Sequence, residues 1–284
     1  MPEQGARDVS IDPVERQLFA EELSVEAGLL ALSYRDQDDL EVRSKGVLDW
    51  VTEADLATER LIRNRIATTF PDDQILGEEG LGDGQHIRSA YSTWVVDPID
   101  GTTCFVSGLP SWCVSIACID VRGHPYLGVI RDPVGKETFS ALQGHGITIN
   151  GHNISVPSKG ITDGLVGVGH PRNAPNQPTL TFLQGLLSLG GLFYNSGSAA
   201  LALAYVAAGR LVGFYESDLR AWDALAGEVL IRESGGWSTR FMRDGSLATS
   251  KPVLAANRGS ASAMWDLAGD VLEGCSSPAQ DDGQ

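Results

Sequence analysis

The chain has 284 residues, 42% of them hydrophobic and 20% charged, and carries a formal net charge of −16. That apolar content excludes a mostly disordered chain, and the acidic balance argues against nucleic acid as a main partner, which needs a basic face. No apolar run is long enough to span a membrane and residues 1–12 lack the apolar core of a signal peptide, so no membrane partner is expected and the cytoplasm is the default location.

A chain of this length can bury a large core, as one catalytic unit or as two tightly packed halves. Residues 1–10 and 275–284 are expected to fray. Glu15 to Leu32 reads as a first helix, with Leu18, Phe19, Leu23, Ala27 and Leu30 along one side. A second runs from Thr52 to Phe70, where Thr52-x-x-Asp55 matches a helix cap with an acid three residues on. Asp73 to Leu76 and Trp94 to Val96 read as short strands, and Pro98, which has no N–H to donate, should end the second. Trp112 to Ile119, Pro125 to Ile130 and Glu137 to Ala141 continue the strands, with a glycine-rich return at Gly144-His145-Gly146. Leu165 to Gly169 opens the second half. Helices follow over Thr179 to Leu189 and Ser198 to Ala208, a strand over Leu211 to Tyr215, a helix with Asp223 in its first turn and a cap near Gly235, a strand over Lys251 to Ala256 and a last helix over Ala261 to Leu272. The class is α/β, with soft halves 13–159 and 160–272, since Asp223 must return to the acids of the first half.

Those acids carry the chemistry. In Asp97-Pro98-Ile99-Asp100-Gly101-Thr102-Thr103 two carboxylates follow a buried strand, where α/β folds place ligands. Two close carboxylates repel unless a proton or cation compensates them, and a hard divalent metal is the natural compensator. Gly101 to Thr103 then offer N–H groups and a hydroxyl to an anion. Gly77-Glu78-Glu79-Gly80 places another acid pair at a strand end, and Trp222-Asp223-Ala224-Leu225-Ala226-Gly227 places Asp223 in the first turn of a helix. The five histidines, His86, His124, His145, His152 and His170, are scattered without ligand spacing and read as surface residues.

Taken together, these segments resemble the inositol monophosphatase family of metal-dependent phosphatases. The resemblance spans residues 13 to 272 and includes the opening motif Asp49-Trp50-Val51-Thr52-Glu53-Ala54-Asp55, Gly197-Ser198-Ala199-Ala200-Leu201 and Phe214-Tyr215-Glu216. It implies an αβαβα sandwich and two or three Mg²⁺ ions, for which Mn²⁺ can substitute. By the same resemblance Glu78, Asp97 and the Ile99 carbonyl would hold one ion, and Asp97, Asp100 and Asp223 a second. Thr102, oriented by Asp55, would act with Glu78 to position and deprotonate the attacking water. Gly101 and Thr102, beside Asp100, would hold the phosphate, while Glu216 grips the alcohol half and Ser198 and Ala199 line the pocket. The implied reaction is hydrolysis of a small phosphate monoester, inositol monophosphate first, with histidinol phosphate, adenosine 3',5'-bisphosphate and fructose 1,6-bisphosphate as alternatives. Lithium sensitivity and a homodimer are implied too. A regulatory binding protein on the same fold is the alternative of another class.

The chain also departs from the family. Cys104 stands where Asn is usual and reads either as a packed substitute or as a redox-sensitive thiol. Tyr194-Asn195-Ser196 lacks a common Arg, and Val212 stands where many members have Asp. Arg220 either meets an acidic or second phosphate group or faces solvent. Asp55 is explained equally by capping or catalysis, Glu79 reads as a solvated or outer acid, and Lys45 either approaches the metal cluster or, the more common case, is solvated. Cys113 and Cys118 share one strand at odd separation, so they should face opposite sides and stay unbridged.

Overall fold

The computed structural model describes residues 12–35, 42–46, 49–80, 92–170, 175–272 and 274–281; for 42–46, 49, 50, 270, 280 and 281 it describes the backbone only. His86, the Lys45 side chain, residues 171–174 and the N-terminal segment expected to fray therefore lie outside the described residues. In chain order the first half comprises α1 (Pro13–Arg35), the hairpin β1 (Val42–Gly46) and β2 (Asp49–Thr52), α2 (Glu53–Thr69), β3 (Gln74–Gly77), β4 (Thr93–Asp100), α3 (Thr102–Val106), β5 (Cys113–Ile119), β6 (Pro125–Asp132), β7 (Glu137–Leu142), β8 (Ile147–Ile149) and β9 (His152–Asn153). The second half adds β10 (Leu165–Val168), α4 (Gln177–Ser188), β11 (Leu192–Tyr194), α5 (Ala199–Ala207), β12 (Leu211–Leu219), α6 (Ala221–Glu233), β13 (Trp237–Ser238), β14 (Lys251–Ala256), α7 (Ala261–Ala268) and α8 (Pro278–Asp281).

Strands β3 to β9 form one sheet in sequence order, with β3 and β4 parallel and the remainder antiparallel. The other sheet has the order β11-β10-β12-β14-β13, with β10 parallel to both its neighbours. The alternation of side chains along each strand decides the layering. On β4, Trp94 and Val96 turn toward α1 and α2, where Leu23, Ala27, Ile62 and Ile66 cover them. Val95 turns the other way, into a core shared with Leu201 and Leu203 of α5 and Leu225 and Val229 of α6. That core also takes Phe214, Val253 and Ala255 from the second sheet. Its far face, with Val166, Leu254 and Ala256, is covered by Phe182 and Leu186 of α4 and Met264 of α7. The result is the αβαβα sandwich that the family resemblance implies. Helix α5, apolar on nearly every side, fits its place between two sheets.

Cys113 lies in the core shared by α5 and α6 and Cys118 in the one covered by α1 and α2, so they face opposite sides, and all four cysteines are free. The hairpin β1–β2 has no apolar alternation to announce it and was not expected. Pairing also does not stop at Pro98. Asp97 faces Ser115 and Asp100 faces Cys113, so β4 takes three steps where β5 takes two. This bulge absorbs the proline and carries the strand on to Asp100. Cys275, in the segment expected to fray, is half-buried against the third core. Among the described residues no helix is long and apolar enough to cross a membrane.

Candidate active site

The bulge of β4 aims Asp97 and Asp100 at the same space. Asp97 is 2% exposed and its Oδ1 accepts the Ile99 N–H at 3.0 Å. Asp223 arrives from the first turn of α6. One carboxylate oxygen from each of Asp97, Asp100 and Asp223 lies within 4.8 Å of the others. Glu78, just past the end of β3, lines the same cleft without belonging to that close set. Burial, then the charges of Glu78, Asp100 and Asp223, push the Asp97 carboxyl well above the usual range. An all-oxygen donor set under this electrostatic pressure fits a hard divalent cation. Asp100 is steadied from behind: its Oδ2 accepts from Ser198 Oγ at 2.6 Å and from the Ala200 N–H at 2.7 Å. Beneath it the Cys113 thiol lies 3.8 Å from the same oxygen, and burial, with the Asp100 charge, pushes that thiol up and keeps it neutral.

Asp55 caps α2 and also lies close to Thr102. Its Oδ2 accepts from the Thr52 N–H at 2.8 Å and from Thr52 Oγ1 at 2.5 Å, closing the cap of α2. Its Oδ1 lies 3.4 Å from Thr102 Oγ1, which is closer, at 3.1 Å, to the Ile99 carbonyl. A hydroxyl has one proton, so the shorter contact to Ile99 dominates. Gly101 precedes α3 with φ 95° and ψ 37°. A Cβ there would meet the Ser111 carbonyl oxygen at 2.9 Å and Ser198 Cβ at 3.1 Å, so only glycine fits both the turn and the space.

Three supports were not visible in the sequence. Ser115, opposite Asp97 in the ladder, donates to the Trp222 carbonyl at 2.9 Å and pins the start of α6 beside the aspartates. Gly128 on β6 lets the same helix approach, since a Cβ there would fall 2.4 Å from the Ala226 carbonyl oxygen. Glu59 of α2, 3% exposed, lies under the Glu78 turn. It accepts from the Glu79 N–H and from Arg63 Nε at 2.7 Å each, while Arg63 Nη2 donates to the Gly80 carbonyl at 2.7 Å. In sequence Glu59 and Arg63 form only an ordinary i,i+4 pair; their placement under a loop is a tertiary fact.

The cleft above these groups has a volume of about 550 Å³. Ser198 is buried, capping α5 through Leu201 N and holding Asp100, while Ala199 lines the wall. Glu216 is also buried, against Gly169, where a Cβ would fall 1.8 Å from its Oε2. Cys104 is packed, with Sγ 3.3 Å from the Ser196 carbonyl oxygen and no room for a Cβ on Gly197 beside it. Asn195, in the stretch lacking the family's Arg, links the Val168 carbonyl to the Gly197 N–H. Val212 is buried in the third core. Arg220 and His170 stand at the cleft rim; the other described histidines are exposed elsewhere.

Similarity to known proteins agrees with this geometry. The Nus factor SuhB of Pasteurella multocida is 39% identical over 232 residues, covering 80% of this chain and 85% of that protein. An inositol-1-monophosphatase of Rhizobium meliloti is 36% identical over 245 residues, covering 84% and 90%. The crystal structure of Staphylococcus aureus inositol monophosphatase II with inositol monophosphate bound superposes with a TM-score of 0.73 at 26% identity, covering 92% of this chain and 96% of that one. The sequence model of the inositol monophosphatase family matches residues 12–273, and the chain belongs to that family.

Proposed function

We propose that the chain hydrolyses small phosphate monoesters with bound Mg²⁺, inositol monophosphate being the first substrate to try and Mn²⁺ a substitute ion. The gathering of Asp97, Asp100 and Asp223 oxygens within 4.8 Å carries this reading. Glu78, Asp97 and the Ile99 carbonyl would hold one ion, and Asp97, Asp100 and Asp223 another. Bound there, such ions supply a nucleophile from water at neutral pH and screen phosphoryl charge, which a reaction this slow in water requires. The chain's own groups position the reactants. Gly101 and Thr102 N–H groups receive phosphate oxygens, and Asp55 orients the Thr102 hydroxyl once it turns from Ile99. Glu78 takes the proton of the attacking water, and Glu216 receives hydroxyls of the alcohol half. Ser198 fixes Asp100, and Ala199 shapes the wall.

Phosphate release from a panel of monoesters, with the intact chain and with Asp223→Asn, tests this reading. Turnover that depends on Mg²⁺ and is lost in the variant is the expected result; equal rates would contradict the ligand assignment. Inhibition by millimolar Li⁺ is expected in the same assay, and its absence would count against a family-type metal site. A regulatory binding protein is the second reading, favoured by the name Nus factor SuhB that several relatives carry. No turnover on any ester would support it. The net charge of −16 leads us to expect no nucleic-acid partner, and RNA binding at physiological salt in a gel-shift assay would overturn this. A homodimer is the expected assembly. Leu180 and Leu187 of α4, with Leu189 and the β11 residues Leu192 and Phe193, expose an apolar face for a second copy to cover. A monomer mass by light scattering would contradict it.

A further inference from the structure

Among the described residues Arg220 is the only lysine or arginine lining the cleft, whose other charged walls are the carboxylates of Glu78, Asp97, Asp100, Glu216, Asp218 and Asp223. In sequence it follows Glu216 by four residues and precedes Asp223 by three, and its backbone N–H donates to Asp223 Oδ2 at 3.2 Å. Its guanidinium Nη1 donates to the Ala248 carbonyl at 3.1 Å, and none of the described carboxylates forms an ion pair with it. Asp218, the nearest acid in sequence, accepts from Ser250 Oγ instead. Four of its five N–H donors therefore remain for another partner.

The carbonyl that holds Arg220 is itself fixed. Lys251, 4% exposed, donates to the carbonyls of Phe241 and Ser246 at 2.8 Å each and pairs with Asp244. The Phe241 N–H donates to Glu228 Oε2 at 2.8 Å, and the Ala248 N–H to Ser246 Oγ at 3.2 Å. Residues 241–250 thus form a tied loop that presents Ala248 to the cleft rim. A neutral alcohol gains little from a guanidinium held there, whereas a phosphate matches its planar fork with two parallel hydrogen bonds. The cleft volume of about 550 Å³ is in the range of sites for molecules as large as a sugar carrying two phosphates.

We propose that Arg220 is a specificity-determining residue that recognises a second phosphate on the alcohol half of the substrate, an inference that rests on the phosphatase reading above. Fructose 1,6-bisphosphate and fructose 1-phosphate are matched probes, differing only in the second phosphate. Their kcat/KM values for phosphate release at C1 are measured with the intact chain, Arg220→Met and Arg220→Lys. The intact chain is expected to favour the bisphosphate, and Arg220→Met to lose at least about tenfold more on the bisphosphate than on the monophosphate, mainly in KM. Arg220→Lys, a point charge without the fork, should fall between. Equal losses on both probes would show that Arg220 merely supports Asp223 and would overturn the inference, as would a ratio unchanged by Arg220→Met. Turnover of neither probe, nor of any monoester, by the intact chain would remove the phosphatase reading and this inference with it; turnover of monoesters without preference for the bisphosphate would remove the inference alone.

Discussion

Strand β4 has a buried carboxylate at each end, and the two ends solve the same electrostatic problem differently. At the start, Asp73 is paired with Arg16 and accepts the Trp94 indole N–H at 2.8 Å, and the guanidinium of Arg16 lies 4.5 Å from the centre of the Phe70 ring. That carboxylate has its cation built into the chain. At the other end Asp97, Asp100 and Asp223 converge, and burial, then the charges of Glu78, Asp100 and Asp223, drive the Asp97 carboxyl upward. Among the described residues that close set holds carboxylates alone, a donor set that fits an exchangeable hard cation.

The sharpest way to break this comparison is to remove one acid from the open end. Asp97→Asn should lower Mg²⁺-dependent phosphate release by at least about a hundredfold, since even outer partners of metal ligands cost up to that much. The same change should leave the metal-free protein as stable as before or more so, because it relieves repulsion among like charges. Thermal unfolding in a chelator checks this, and a large loss of stability would mean that Asp97 is structural. At the closed end the reverse is expected. Arg16→Met strands a buried carboxylate and should destabilise the fold by about 3–5 kcal/mol in denaturant melts, with the Mg²⁺ requirement of the surviving folded protein unchanged. A third change sharpens the boundary between the two ends. Glu59→Gln weakens the hold on the Glu78 turn while keeping its shape, and should raise the Mg²⁺ concentration for half-maximal activity by about tenfold. An unchanged metal dependence would make the Glu59–Arg63 support purely structural.

Legibility in the sequence followed the range of the forces involved. The strands over Trp112 to Ile119 and Pro125 to Ile130 and the helices over Glu15 to Leu32 and Thr52 to Phe70 announced themselves through apolar periodicity, a local property, and each was observed within a few residues of its expected bounds. The aspartates were found because Asp-Pro-Ile-Asp and Trp-Asp-Ala are dense local motifs. What brings them together is not local. Ser115 and Gly128 set the seat of α6, and nothing in Val114-Ser115-Ile116 or Leu127-Gly128-Val129 marks a serine or glycine as serving a helix about a hundred residues away. Pro98 misled in the opposite direction. Its missing N–H predicts the end of pairing, yet a one-residue bulge lets the ladder skip it and resume at Asp100. Ser198 shows a mixed outcome, for the pocket residue implied by resemblance is also a helix cap and the donor that holds Asp100.

Calorimetric titration of the chelator-treated chain with Mg²⁺, alongside Asp223→Asn, tests cation binding at the aspartates without relying on any substrate. The account predicts saturable binding to the intact chain, with a rise in thermal midpoint as the ion is added, and weak or no binding to the variant. Indistinguishable titrations of the two proteins, or no saturable binding of either Mg²⁺ or Mn²⁺, would contradict it.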